Sequence, residues 1–332
     1  MGSSNAVTIE AILNAREERA KRQKLWLDET RVPLVSCTMN TAGAVKDSVL
    51  IRETFSALTD DLEKALAGLP ILKEELLFYP TGPECLFAVD ADPMELKRRC
   101  IAVEEATPAG RLLDADVMDR NGRSISRTLL GKPERSCLVC GKPGRACAAG
   151  QVHPIEEVRS ASERRMKAYL LGREPEEAAD RAVRALIREV HVTPKPGLVD
   201  ENNSGSHSDM DLALMEQSAR SLRPYFETCV RTGLETAAKA PEETFPPLRA
   251  AGLEAERTMF AATRGVNTHK GAIYLFGILL GAYGRLWKPG GALPIETVLT
   301  EAGRVSAQAV REDLARIDVT PDAEQTSGQK FY

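Results

Sequence analysis

With 332 residues the chain exceeds one ordinary domain of about 100–200 residues, so two domains are the starting expectation. Hydrophobic residues make up 43% and charged residues 28%, the balance of a soluble globular protein with sizeable cores. A formal net charge of −4 gives no general attraction to nucleic acid or to an anionic membrane, and no basic aromatic patch argues otherwise.

The chain opens MGSSNAVTIEAILNAREERAKRQ, which has no apolar leader and lacks the Ser or Thr at position 6 of a myristoylation pattern, so neither export nor a lipid anchor is expected. Seven Cys (37, 85, 100, 137, 140, 147 and 229) in a long chain of this kind read as reduced thiols in a cytoplasm. Residues 8–30 have helical periodicity, with Ile9, Ile12, Leu13, Leu25 and Trp26 available for burial. A strand over 33–39, a loop over 40–46, a helix over 48–67 and a strand over 84–90 follow. Lys46 in that loop is a candidate phosphate contact. This mixture up to about residue 130 predicts an α+β or α/β first domain.

Residues 105–130 (EATPAGRLLDADVMDRNGRSISRTLL) carry the most chemistry. The spacing predicts a strand over 111–118 and a hairpin at Asn121-Gly122, whose type I′ turn needs positive φ at both central positions. On such a strand Asp114 and Asp116 project from one face, because side chains alternate with period two. Paired carboxylates repel unless a cation or proton joins them, and oxygen ligands of this kind suit Mg²⁺ bound to substrate phosphates. A solvent-facing pair on an edge strand is the other reading. Gly110 would let the backbone approach a phosphate closely just before the strand.

Residues 131–150 are rich in Gly, Pro and Cys. Cys137, Cys140, Cys147 and His153 form C-x2-C-x6-C-x5-H, enough for a tetrahedral Zn²⁺ site, though a reduced thiol loop without metal reads equally from the spacing. The domain boundary is expected at Leu171–Pro175, where Gly172 and Pro175 punctuate two helical segments, giving domains 1–172 and 173–332. From about 156 onward no strand pattern remains, and amphipathic runs at 177–190, 210–232 and 248–263 predict an all-helical second domain. Residues 271–287, about 17 in number with four glycines, fit a buried core helix better than a membrane span.

Two polar motifs precede helices in this half. In the first, running from Thr193 to Met210, Ser208 or Asp209 is the expected cap, and Asp200, His207, Asp209 and Asp211 are candidates for a metal or a general base. The second is Thr263–Gly271, where free backbone N–H groups at a helix start, with Lys270 nearby, would hold phosphates. Both motifs also read as plain polar loops with capping residues.

The first half resembles the apo-citrate lyase phosphoribosyl-dephospho-coenzyme A transferases, through AREERAKRQ, LVSCTMNTAGAVKDS, TGPE at 81–84, GRLLDADVMD and ERSCLVCG. From about residue 178 the chain resembles the triphosphoribosyl-dephospho-coenzyme A synthases, through EVHVTPKPGLVDENNSGSHSDM and EAERTMFAATRGVNTHKGAIYLFG. The first resemblance implies a nucleotidyltransferase-like mixed α/β domain that attaches the prosthetic group to a serine of the citrate lyase acyl carrier protein and releases pyrophosphate. Asp114 and Asp116 would then hold Mg²⁺, with Lys46, Arg111 and Arg127 on phosphates. The second implies an all-α domain that joins ATP-derived triphosphoribose to 3′-dephospho-coenzyme A and releases adenine. Asp200, Asp209 and Glu256 would be its catalytic carboxylates, with Lys195, His207, Asn267, His269 and Lys270 binding substrate.

Two departures from the first family's pattern stand out. Asn40-Thr41-Ala42-Gly43-Ala44 replaces its Asn-Ile-Pro-Gly-Pro, and Ala148–Val152 lacks its arginines before His153. The synthase family also continues past the equivalent of Tyr332 to a Gly-Arg-Gly-Glu motif, so the helical half is expected to be incomplete, with 321–332 as the run-up to that portion. Alternatives are a nucleotidyltransferase of another acceptor with a helical docking domain, and a zinc-stabilised interaction protein without catalysis.

Overall fold

A computed structural model describes residues 6–318. The extreme amino terminus and residues 321–332, read above as a leaderless start and the run-up to a further motif, lie outside the described residues. The fold is α+β, with a five-stranded antiparallel sheet and helices in one compact unit and helices alone in the other. The first unit runs through Gly172 and includes Pro289–Gly291; the second takes Arg173–Lys288 and the chain from Ala292 on.

The first unit contains α1 (Ile9–Thr30), β1 (Leu34–Met39), α2 (Val49–Leu66), β2 (Ile71–Tyr79), β3 (Gly82–Val89), α3 (Pro93–Ala106), β4 (Leu113–Met118), β5 (Ser124–Ile125) and α4 (Gly144–Ala149). Its sheet has the order β2-β3-β1-β4-β5. Side-chain caps start the helices: Thr8 accepts from the Ala11 amide at 3.1 Å, Ser48 from Ile51 at 3.2 Å and Asp92 from Glu95 at 2.9 Å. One sheet face puts Val35, Cys37, Phe87, Ala115 and Val117 against Phe55, Leu58 and Leu62 of α2 and Leu96 and Cys100 of α3. Each large apolar side chain in that layer contributes about 1.5–3 kcal/mol by leaving water.

The other face is apolar at one end only, where Trp26 of α1 covers Leu34, Leu86 and Ala88. Of the five α1 residues expected in a core, Trp26 alone is buried, while Ile9, Leu13 and Leu25 are 79%, 51% and 54% exposed. The helix is tied down by polar groups instead: Gln23 donates to Ser36 Oγ at 2.8 Å, and Arg22 and Arg19 reach the buried Glu84 at 3.0 and 3.3 Å. Strand β2 and helix α3 were not among the predicted elements. The charged run Lys73-Glu74-Glu75 hides the alternation of β2, which forms a sheet edge.

The predicted hairpin exists but its turn differs. Gly122 has φ +78° while Asn121 is not left-handed, and Asp119 organises the loop by accepting from the amides of Asn121 (2.8 Å) and Arg123 (2.9 Å). A carboxylate that satisfies two loop amides removes the need for a type I′ turn. Only Ser124 and Ile125 then pair with β4, and Arg127–Leu130 form a 3₁₀ turn.

Residues 171–175 do not separate two helices. A single helix, α5 (Ile155–Val190), runs through Gly172 and Pro175. An interior proline costs about 3 kcal/mol. Buried residues on both sides, Ala161, Met166 and Leu170 before it and Ala178, Ala179 and Ala182 after it, hold the helix through that break.

The second unit is helical throughout its described residues, with α6 (Leu212–Ser221), α7 (Arg223–Thr236), α8 (Phe245–Ala262), α9 (Lys270–Leu286) and α10 (Ile295–Asp318) after the end of α5. Its core joins Phe226, Leu222, Met259, Ile273, Ala282 and Val305. Helices α7 and α9 touch backbone to backbone: a Cβ on Gly233 would collide with the Gly281 carbonyl, and one on Gly284 with the Val230 carbonyl. The glycines of the 271–287 segment therefore serve close helix packing. No helix among the described residues is long and apolar enough to cross a membrane. Arg285, nearly fully buried, meets Glu301 at 2.7 Å and donates to the Thr236 carbonyl and to Thr244. These partners supply what a buried charge needs.

Candidate functional site

Strand register builds the first site. Asp114 lies opposite Thr38 and Asp116 opposite Ser36 on β1; across β1, the same two residues face Glu84 and Leu86 of β3. Both aspartates thus occupy the partly polar face, while Leu113, Ala115 and Val117 between them are fully buried on the other. Asp114 is half-exposed and pairs with Arg135 Nη1 at 3.2 Å. Asp116 keeps exposed surface, yet crowding by surrounding protein, then the Asp114 charge, push its carboxyl above the ordinary range.

An arginine cluster surrounds this edge. Arg111 donates through Nε and Nη2 to the Ser136 carbonyl at 2.9 and 2.7 Å, leaving Nη1 buried without a partner. Burial, then the neighbouring Arg135 charge, lower the Arg111 pKa, with Asp114 and Glu104 acting in the opposite sense. Arg127 contacts Glu105 at 2.5 Å and Glu104 at 3.6 Å, and its Nε is buried and unpartnered. Arg135 joins Asp114 to Glu104, which is 4% exposed and accepts from the Ala115 amide at 3.1 Å. Burial raises the Glu104 carboxyl above its usual range, against the pull of Arg135. From below the sheet Lys97, also buried, donates to the Ala115 carbonyl at 2.7 Å.

Two expectations for this region need correction. Gly110 is not a phosphate-approach glycine: a Cβ there would run into the carbonyls of Val103 and Glu104, so the residue lets the 3₁₀ turn before β4 seat on α3. Lys46 is half-buried and donates to the Thr41 carbonyl at 2.5 Å. Burial first and then Arg16 lower its pKa. Arg135, Glu104, Lys97 and Arg19 were missed, although Arg135 and Arg19 lie inside the ERSCLVCG and AREERAKRQ stretches that carry the resemblance.

Cys137, Cys140, Cys147 and His153 come together, with ligand-capable atoms all within 4.8 Å of one another. A short bridge between Ser136 and Pro143 folds the Cys-x-x-Cys turn, in which the Cys137 amide donates to the Lys142 carbonyl at 2.6 Å and Gly141 has φ +73°. The Lys142 amide acts first to hold the Cys140 thiol down to about 6, whereas the hydrogen bond from Cys140 pushes Cys147 up to about 11.

In the helical unit the first polar motif is held by Asp200. Its carboxylate accepts from the amides of Lys195 (3.0 Å), Asn202 (2.9 Å) and Asn203 (3.0 Å), and those bonds, Lys195 first, keep its pKa below the usual range. Asp200 is 4% exposed, so the geometry makes it a loop organiser. The cap of α6 is Asp211, which accepts from the Leu214 amide at 2.8 Å, in place of the expected Ser208 or Asp209. Asp209 is exposed and His207 half-buried, with its amide on the Ser204 carbonyl at 3.1 Å. Lys195 Nζ bonds Glu189 through the carbonyl at 2.9 Å and the carboxylate at 3.0 Å.

The second motif converges on the start of α9. Glu256 on α8 pairs with Lys270 at 3.2 Å, and Asn267 accepts from the Lys270 amide at 3.3 Å. His269 is buried; its Nδ1 is 2.8 Å from Ser218 Oγ, which is 2.6 Å from Thr268 Oγ1. Burial lowers the His269 pKa against the pull of Glu189, the residue that also takes Lys195. The bond of Glu189 to Lys195 was missed by sequence reasoning. An open depression of about 600 Å³ beside α6, lined by Asp211, Leu212, Ala213, Glu216, Gln217 and Arg220, takes only Asp211 from the predicted set.

Paired carboxylates under an arginine cluster thus stand in one unit, and a Lys-Glu-His constellation at a helix start in the other. Residues 7–169 match the family described as apo-citrate lyase phosphoribosyl-dephospho-CoA transferase, and residues 175–329 match ATP:dephospho-CoA triphosphoribosyl transferase. Protein CitXG of Leuconostoc mesenteroides subsp. cremoris is 32% identical over 333 residues, covering 97% of this chain and 71% of that protein. Protein CitXG of Haemophilus influenzae is 38% identical over 282 residues, or 84% of this chain and 60% of that one. The chain belongs to the CitXG family. It also resembles the 2-(5''-triphosphoribosyl)-3'-dephosphocoenzyme-A synthase of Haemophilus ducreyi, at 44% identity over 44% of this chain and 45% of that protein. The chain therefore spans about three-fifths to seven-tenths of its fused relatives and, in this match, under half of a free-standing synthase.

Proposed function

We propose that the sheet-bearing unit attaches phosphoribosyl-dephospho-coenzyme A to a serine of the citrate lyase acyl carrier protein. The serine oxygen forms a bond to the phosphorus nearest the ribose, the bond to pyrophosphate breaks, and the hydroxyl proton leaves to a base. What carries this reading is the pair Asp114 and Asp116, two residues apart on one strand face, with the Asp116 carboxyl pushed up by crowding and by its neighbour. Such a pair fits a hard dication, which would relieve that repulsion, so Asp114 and Asp116 would hold Mg²⁺. Bound there, Mg²⁺ would act as a Lewis acid towards phosphate oxygens. Arg111, with its buried unpartnered Nη1, and Arg127 would meet substrate phosphate oxygens. The Arg135 bridge holds Asp114 in place. Lys46 would need to leave the Thr41 carbonyl to join them.

The helical unit, on the same reading, takes ATP and 3′-dephospho-coenzyme A: a ribose hydroxyl oxygen of the latter bonds to the anomeric carbon of ATP's ribose, the bond from that carbon to adenine breaks, and adenine leaves carrying a proton that balances the one lost by the hydroxyl. The transition state there is oxocarbenium-like, and Glu256 and Asp209 are the carboxylates offered to it. Lys270, Lys195, Asn267, His269 and His207 would hold substrate groups, with Asp200 shaping the loop. The cytoplasm, where seven free thiols persist, is the fitting compartment.

The test is incubation of the full chain with the acyl carrier protein and triphosphoribosyl-dephospho-coenzyme A, followed by intact mass of the carrier. Adenine release from ATP and dephospho-coenzyme A is measured separately. A carrier that gains no mass removes the first reading; absence of adenine removes the second.

A further inference from the structure

We infer that Cys137, Cys140, Cys147 and His153 hold a structural zinc ion that fixes the segment carrying Arg135. The four ligand atoms come from a knuckle turn, the short helix α4 and the approach to α5, and lie within 4.8 Å of one another. A tetrahedron with bonds of about 2.3 Å has edges of about 3.8 Å, so the cluster closes on one ion with small side-chain shifts. Three soft sulfurs and an imidazole select zinc over the hard dications. One backbone amide already points at a sulfur: Val139 donates to Cys137 Sγ at 3.5 Å.

The histidine is prepared for the same purpose. Its Nδ1 faces Glu157 Oε2 at 3.4 Å, while its Nε2 is buried without a hydrogen-bond partner. A carboxylate on one ring nitrogen fixes the tautomer and leaves the other lone pair for a metal. The competing chemistry is a Cys140–Cys147 disulfide. The sulfurs are 3.5 Å apart, well beyond a bond of about 2.05 Å, and such a bond would leave Cys137 and His153 without a role.

The cluster is built into the unit. Leu138, between the first two cysteines, is buried against Ile51, Leu112 and Met166. The residues just before Cys137 reach the proposed catalytic face: Ser136 takes both Arg111 bonds, and Arg135 holds Asp114 and Glu104. Gly144 closes over this stretch, its amide on the Arg135 carbonyl at 2.9 Å. A metal on Cys137 and Cys147 would therefore pin both ends of the support for Arg135.

The test uses the full chain purified under reducing conditions and measured for metal by mass spectrometry. We expect about one zinc per chain after desalting. Replacement by cobalt should give the visible absorption bands of a tetrahedral thiolate site. Cys140→Ser, at the exposed ligand, should lose the metal, and Glu157→Gln should weaken retention about tenfold to a hundredfold. Neither zinc uptake nor cobalt bands in folded, reduced protein overturns the site, as does equal retention by wild type and Cys140→Ser. The link to Arg135 rests on the carrier-transfer reading and has its own readout: chelated, still-folded protein should lose carrier modification and regain it with zinc. Unchanged transfer after metal loss overturns that link and leaves the zinc count standing.

Discussion

The two candidate sites are built on opposite plans. Asp114 and Asp116 are placed by a strand whose register with β1 is fixed, so their side chains need not hold the backbone, and Asp114 pairs with Arg135 instead. In the helical unit Glu256 sits on α8 but Asp200, Asp209 and Asp211 come from irregular chain, and two of these three hold that chain together. Asp200 satisfies three backbone amides and Asp211 caps α6. A carboxylate in a loop must first answer for unpaired amides, whereas one on a strand does not. The same residue type at similar spacing therefore carries different weight in the two settings.

The largest expected effect tests the strand plan. Asp116→Asn should lower carrier modification by about a hundredfold or more while adenine release is unchanged; intact mass of the carrier and adenine chromatography read the two. Equal loss of both activities would erase the distinction between the sites. Next in size, Gly233→Ala drives a methyl group into the α9 backbone and should cost the helical unit about 2 kcal/mol or more, read as a lowered denaturation midpoint.

A pH series sharpens the loop side. Burial depresses the folded His269 pKa, so the unfolded chain binds the extra proton first and the helical unit loses stability as pH falls below about 6.5. His269→Gln should flatten that limb in a chemical denaturation series. Asp200 works in the same direction at lower pH, because its carboxyl is held below the usual range and its stabilisation disappears as pH falls through the lowered value. The smallest effect expected is that of Asn267→Ala, which removes one long bond to the Lys270 amide and should shift stability by about 0.5 kcal/mol.

The fold was legible where local chemistry decides it. Ser48 and Asp92 cap helices as their residue types suggest, yet α3 itself was missed, and β2 escaped because its alternation is interrupted by charges on an exposed edge. Gly172 and Pro175 were read as a break; burial on both sides keeps one helix there. At the first site, period two was enough to put Asp114 and Asp116 on one face. Their partners were not readable, since Arg135 meets Glu104 across 31 residues and Lys97 meets Ala115 across 18, pairings that only the folded sheet and helix bring about. At the second site, no local signal separated Asp200 as scaffold of a loop from Glu256 on α8 as partner of Lys270.

The glycine contact between α7 and α9 has a consequence for the loop that precedes α9. With main chain resting on main chain, α9 has no slack to slide or roll along its neighbour. His269 and Lys270 stand at the first turn of that immobile rod, so their height above the helical core is set by a ruler cut in glycine rather than by the loop's own sequence. Lengthening or shortening the 263–268 loop would then change how substrate is approached, while leaving these two side chains at their station.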